Sequence, residues 1–309
     1  MTADLGPLVA PEDLLDRLDD PELRLADVRW YLGRPGAGRA AYEAGHLPGA
    51  VFVDLDTDLS APSGPGRHPL PDPAAFAERL GALGFGSDHW IVAYDDVGGT
   101  VAARLWWMLD ALGHPRVSIL DGGLAAWSAI GGPLTTVVPN RPPARLELAP
   151  RWTKTIDRDE LRRRLGGVVL LDGRAPERYR GEVEPVDPVA GHIPTARSAP
   201  VTENLGPDGR FRPPEALRAR FLALGCDVAP VVVACGSGVN ACHHVLAMRL
   251  AGLGDPLLYP GSFSDWSRAG LPVVAGEEPG DPPRHRNTGP GANGSRLAPG
   301  SPGARSSEQ

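Results

Sequence analysis

With 309 residues, 42% of them hydrophobic, the chain can fill two packed cores rather than one. A formal net charge of −7 speaks against a nucleic-acid partner, and three cysteines, Cys226, Cys235 and Cys242, are too few for a disulfide framework and fit free thiols in a reducing compartment. The N-terminal "MTADLGPLVAPEDLL" carries no basic or apolar signal region and no run of about 18 uncharged apolar residues occurs, so the expectation is a cytoplasmic protein without membrane contact.

Taken in chain order, the first half opens on a short apolar run, "LADVRW" around Asp27, then "YEAGHLPGAVFV" from Tyr42 to Val53. "PAAFAERLGALG" has helical period, "IVAY" reads as a buried strand ending at Tyr94, and "DDVGGTVAA" reads as a loop leading into a further segment. "SILDGGLAAW" closes the unit at Trp127, and the Pro-rich, aperiodic "TTVVPNRPPARLELAP" reads as a linker. The second half then repeats the first: "LLDGRA" around Asp172, "GHIPTA" at His192, the helical "PPEALRARFLALG", the strand "VVVA", and "LLYPGSFSDW" ending at Trp266. The matched pieces keep both order and near-constant offset, which marks a duplicated domain. Strands alternating with helices predict, in each unit, an α/β fold with a mostly parallel sheet covered by helices on both faces. The expected boundaries are residues 1–138 for the N-terminal unit, 139–150 for the linker, 151–276 for the C-terminal unit, and a Gly/Pro/Ser-rich, disordered tail over 277–309.

These landmarks together resemble the rhodanese family of sulfurtransferases in its tandem two-domain form, over roughly residues 5–275. "YEAGHLPGAVFV" fits the family's N-terminal signature, and "YPGSFSDW" fits the C-terminal one with Asp265 where Glu is usual. The loop "CGSGVNA" is similar to the active loop of the mercaptopyruvate branch, with Asn240 in place of threonine; the thiosulfate branch usually has basic residues directly after the cysteine, where this chain has Gly236 and Ser237. In tandem members the N-terminal unit is generally inactive, and Asp95 stands here at its cysteine position. An aspartate cannot carry sulfane sulfur, so one active site per chain is expected.

The nucleophile of such chemistry must be a thiolate that takes sulfur as a persulfide and hands it on. Cys235 sits at a strand end, before a loop and a helix start, where backbone N–H groups and the helix dipole favour an anion. Gly236 and Gly238 are expected to give the loop unusual φ values and close access, with Val239 and Asn240 completing a substrate cradle. The resemblance further implies that Arg178 grips the anionic end of the donor, and that Ser237, His68 and Asp56 form a proton relay. A second family arginine is missing: Val186 and Asp187 fall where it is usual, leaving Arg180 as one substitute or as a solvated surface residue. His46 and His192 occur in both repeats and read as structural; Cys242 reads as a buried helix residue, and Cys226 receives no role.

A cysteine phosphatase requires an arginine six residues after the cysteine, and Ala241 stands there. The Walker lysine is likewise missing from "GSGVNA". Two readings remain: an enzyme moving sulfur from 3-mercaptopyruvate, or as runner-up thiosulfate, through a Cys235 persulfide to cyanide, a thiol or a protein acceptor; or a non-turnover persulfide carrier docking onto a sulfur-trafficking partner. No metal-ligand cluster stands out, and no cofactor is implied. "CGSG" brings a hydroxyl and no local cation, which favours mercaptopyruvate, whose departure as an enolate gains from a proton relay.

Overall fold

The computed structural model describes residues 5–283. The N-terminal unit runs β1 (Leu8–Val9), α1 (Pro11–Leu15), β2 (Leu23–Asp27), α2 (Ala37–Ala44), β3 (Ala50–Phe52), α3 (Pro73–Ala82), β4 (Trp90–Tyr94), α4 (Ala102–Ala111), β5 (Val117–Leu120) and α5 (Gly123–Ala129). The C-terminal unit runs α6 (Arg158–Arg164), β6 (Val169–Asp172), α7 (Pro176–Tyr179), β7 (Ala196–Ser198), a 3-10 turn (Val201–Asn204), α8 (Pro214–Ala223), β8 (Val231–Ala234), α9 (Ala241–Leu250), β9 (Leu257–Leu258) and α10 (Ser262–Arg268).

Both sheets are parallel, in the orders β1-β5-β4-β2-β3 and β7-β6-β8-β9. An isolated parallel bridge from Thr155 to Leu258 takes the place of β1 beside β9, so the second sheet repeats the first strand for strand. The duplication reaches side chains. Arg29 bonds Asp27 and the Gly45 carbonyl, while Arg174 bonds Asp172 and the Gly191 carbonyl, at 2.6 and 2.7 Å in each unit. His46 and His192 stack on Tyr42 and Tyr179 and bond backbone carbonyls through both ring nitrogens, which agrees with a structural role.

Local sequence accounts for the helix starts. Pro73 opens α3 behind an Asp72 cap that accepts the N–H groups of Ala74 and Ala75, and Pro214 opens α8. The central helices α4 and α9 are buried along nearly their whole length and pack on one another, so one core runs through both units. Arg249 and Lys154 of the C-terminal unit tie Asp110 of α4 at 2.7 to 3.1 Å, which fixes the units against each other.

The linker is extended but not loose: Ala144 and Ala149 donate to the carbonyls of Gly81 and Leu112, and Trp152 stacks on Trp107. The tail expectation needs a correction at its start. Residues 277–283 return to the C-terminal unit, where Thr195 N–H donates to the Pro279 carbonyl at 2.7 Å and His192 bonds that of Glu278, because the unit leaves these polar groups to be satisfied there. The rest of that expectation, 284–309, lies outside the described residues. Among the described residues, no helix is long and apolar enough to cross a membrane, and no group of three or more His, Cys, Asp or Glu side chains is placed to hold a metal ion.

Candidate active site

Cys235 follows β8 directly and is buried. Its N–H donates to Ser262 Oγ at 3.1 Å, its carbonyl accepts from Phe263, and Gly236 accepts from Ser264, so the "YPGSFSDW" segment buttresses the loop from behind. Ser262 holds a left-handed φ of 51°, as does Gly123 at 56° in the other repeat. A side chain there costs about 1 kcal/mol or more, and its hydroxyl, which also donates to the Tyr259 carbonyl, anchors the cysteine.

The two loop glycines serve different needs. Gly238 has φ 76°, and a Cβ on it would lie 2.3 Å from the Pro260 carbonyl oxygen. Gly236 does not have the left-handed φ expected of it. Space is its constraint, because a Cβ would come within 2.7 Å of an Arg67 nitrogen and 3.5 Å of an Arg178 nitrogen. The helix after the loop begins at Ala241, with Asn240 as its cap residue.

The N-terminal repeat shows how such a loop is filled when the cysteine position holds an aspartate. Asp95, at the cysteine position, takes the N–H groups of Val97, Gly99, Val101 and Ala102 on its carboxylate at 2.7 to 2.9 Å, fully buried. Four amides therefore converge on one carboxyl group at the end of this strand in the N-terminal unit, and they oppose the burial that raises its pKa above the ordinary carboxylate value. The Cys235 loop stands at the corresponding strand end of the C-terminal unit, between β8 and α9.

Ser237, His68 and Asp56, far apart in sequence, are brought into line. His68 Nδ1 lies 2.8 Å from Ser237 Oγ and Nε2 lies 3.2 Å from Asp56 Oδ1. The carboxylate takes the Nε2 proton, which leaves Nδ1 to accept from the serine hydroxyl. Burial, then the Arg104 charge, pushes His68 down to about 4 against the pull of Asp56, so the imidazole is neutral near pH 7. Asp56 is exposed, and its other oxygen accepts from Trp30 Nε1 at 3.0 Å. Arg104, buried in α4, donates to the carbonyls of His68 at 3.0 Å and Gly238 at 3.2 Å and thus links the His68 loop to the Cys235 loop. Among the described residues no carboxylate lies within ion-pair distance of it.

A cleft of about 350 Å³ opens over Cys235 between the units. Gly236, Ser237, Val239 and Asn240 line it, whereas Gly238, His68 and Asp56 do not; His68 meets the cleft wall at Ser237 and at Trp30. Arg178 lines it as expected and bonds Glu184 at 2.7 Å. Arg180 does not line it: its guanidinium grips Glu182 at 2.7 and 2.9 Å on the surface, because α7 turns it away. The cation that does stand beside Arg178 is Arg67, from the loop that carries His68, and it bonds Asp187. Sequence reasoning missed Arg67, Arg104, Ser262 and Trp30. Only the adjacency of Arg67 to His68 could have signalled the first of these.

The other thiols are unsuited to the chemistry. Cys242 is fully buried in α9, its thiol donating to the Gly238 carbonyl, and burial pushes it up to about 12; burial likewise pushes Cys226 up to about 11.

Comparison with known proteins decides the family, since the model of the rhodanese-like domain matches twice, over residues 10–130 and 157–269. The chain belongs to the rhodanese family. Sulfur transfer is the reaction class shared by its curated relatives, and it is the reaction class of this chain. This rhodanese-family chain is 48% identical over 279 residues to the probable 3-mercaptopyruvate sulfurtransferase of Pseudomonas aeruginosa, covering 87% of this chain and 98% of that one. It is 45% identical to the putative thiosulfate sulfurtransferase SseB of Mycobacterium tuberculosis, covering 80% and 88%. Among solved structures it is similar to the 3-mercaptopyruvate sulfotransferase SseA of Escherichia coli, with TM-score 0.75 at 32% identity, covering 84% of this chain and 99% of that one.

Proposed function

We propose that the chain is a 3-mercaptopyruvate sulfurtransferase in which Cys235 carries the sulfur. The observation that carries this reading is the Ser237–His68–Asp56 line directly behind the loop, in hydrogen-bond contact throughout. The Cys235 thiolate attacks the thiol sulfur of the donor; the S–S bond forms as the C–S bond breaks, and that electron pair leaves as pyruvate enolate. The donor's thiol proton passes to Ser237 as His68 Nδ1 accepts the serine proton, and it returns to the enolate carbon to complete pyruvate. The persulfide anion rests in the loop amides until a thiol, cyanide or a protein acceptor takes the outer sulfur and restores the thiolate. Thiosulfate leaves as sulfite, which needs no such proton, so the relay is idle for that donor.

Steady-state rates with both donors test this reading. A higher kcat/KM with mercaptopyruvate is expected. A preference for thiosulfate overturns the donor assignment, and a single stoichiometric loading without turnover identifies a carrier instead.

A further inference from the structure

The departure at Val186 and Asp187 leaves a question that Arg67 answers. Three guanidinium groups line the Cys235 cleft, those of Arg67, Arg174 and Arg178. Two of them converge beside the nucleophile, since the position of a Cβ on Gly236 lies 2.7 Å from Arg67 and 3.5 and 3.8 Å from the two Arg178 nitrogens. Asp187, its side chain wholly buried, bridges this pair: one oxygen bonds Arg67 of the N-terminal unit, and the other lies 3.4 Å from Arg178. The Arg67 loop is seated rather than floating. Its N–H donates to Ser264 Oγ at 3.1 Å, and a Cβ on Gly66 would lie 2.6 Å from the Gly261 carbonyl oxygen. Arg67 Nη1 bonds Asp187, which leaves Nη2 as the nitrogen facing Gly236, while Nε is buried without a hydrogen-bond partner.

Charge is balanced across the cleft. Arg174 is held by Asp172 and Glu184, Arg178 by Glu184 and Asp187, and Arg67 by Asp187, so the three cations face three carboxylates. Burial pushes Glu184 up, but hydrogen bonds from Arg178 and the Asp187 N–H bring it below the usual carboxylate range, so it is ionised. A cleft of this kind binds an anion by the direction of its N–H groups more than by net field, and a second negative charge on the ligand gains little.

We propose that Arg67 and Arg178, tied across the two units by Asp187, form the seat for the anionic end of the sulfur donor, and that Asp187 biases this seat toward a monoanionic carboxylate over a dianion. The proposal rests on the sulfurtransferase reading above and names its specificity device. It makes the N-terminal unit, which has no nucleophile of its own, the source of one half of donor recognition.

The test uses the full chain and pyruvate, a carboxylate with no sulfur to transfer, as a probe that protects Cys235 from alkylation by iodoacetamide. Arg67→Ala is expected to raise the half-protecting pyruvate concentration and the KM for mercaptopyruvate by about 10-fold or more, the loss of charge-assisted hydrogen bonds, with kcat within about 3-fold. Arg67→Lys restores part of this, since one ammonium replaces a fork. Asp187→Asn, which adds one net positive charge, is expected to shift the kcat/KM ratio toward thiosulfate by about 10-fold. Unchanged pyruvate protection and KM in Arg67→Ala, or a fall in kcat and thermal stability alone, overturns the seat and leaves Arg67 as a loop anchor. An unchanged donor ratio in Asp187→Asn overturns the bias. Failure of the sulfurtransferase reading has a different signature: wild type that pyruvate protects but that neither donor loads with sulfur.

Discussion

Replacing His68 by alanine removes the acceptor for the Ser237 hydroxyl and leaves the rest of the cleft lining in place. With burial pushing its pKa down to about 4, the wild-type imidazole is neutral at pH 7, which suits it to the proton-accepting role proposed for it. Positioned acid–base help of this kind is worth about 10²-fold or more, which is about 2.7 kcal/mol of barrier. The assay is kcat/KM for mercaptopyruvate and for thiosulfate between pH 4 and 8, on wild type and His68→Ala. Wild type is expected to lose mercaptopyruvate activity through His68 protonation only as the pH approaches about 4, not through the ordinary histidine value of 6.5. The variant is expected to lose about 10²-fold with mercaptopyruvate and to stay within about 3-fold with thiosulfate, whose leaving group needs no proton. Equal losses with both donors refute the relay. A wild-type acid limb at 6.5 that vanishes in the variant refutes the buried, neutral imidazole.

Cys235→Ser is expected to fold normally yet gain no mass after donor treatment, where wild type gains about 32 Da, the one sulfur of the covalent intermediate; mass spectrometry of intact protein reads this directly. Asp95→Ala strips three buried N–H groups, those of Gly99, Val101 and Ala102, and the part-buried one of Val97 of their acceptor, and at about 1–3 kcal/mol for each buried one left unsatisfied the melting temperature and urea midpoint should fall by an amount matching about 3 kcal/mol or more. A loss below about 1 kcal/mol in urea unfolding would mean that water replaces the carboxylate freely. His243 and His244, fully buried against Asn204, are pushed by burial to about 3, so they stay neutral in the fold while the unfolded chain protonates them below 6.5. The unfolded state then binds more protons, and stability, fully present above 6.5, should fall by about 1.4 kcal/mol per pH unit for each histidine as the pH drops toward 4. Denaturant midpoints measured from pH 7 to 4 check the slope, which His243→Gln should reduce by one histidine's share.

The parts of this protein that short stretches decide are those legible in its sequence. Apolar runs such as "VVVA" and "IVAY" define buried strands because both faces of a parallel sheet are covered, and Pro-initiated periodic segments define α3 and α8. The loop after "VVVA" points to Cys235 because a strand end, a glycine turn and a helix start within seven residues form the local pattern that favours an anion. Duplication made the same argument twice and exposed Asp95 as the odd member.

What folding alone decided is the company that these residues keep. Arg67 and Asp187 lie 120 residues apart in the chain, and His68 and Ser237 lie 169 apart. Nothing local couples them; they meet because α4 and α9 pack into one core, where Arg104 of α4 holds both the His68 carbonyl and the Gly238 carbonyl of the loop ahead of α9. The sequence could mark the missing arginine at Val186 and Asp187, but not the cation that stands there, because a guanidinium reaching in from the other unit leaves no trace in the residues around 186 and 187. Gly236 shows the same divide: its identity was readable, but the tightest part of the reason, Arg67 against the position of its Cβ, exists only once the two units are docked.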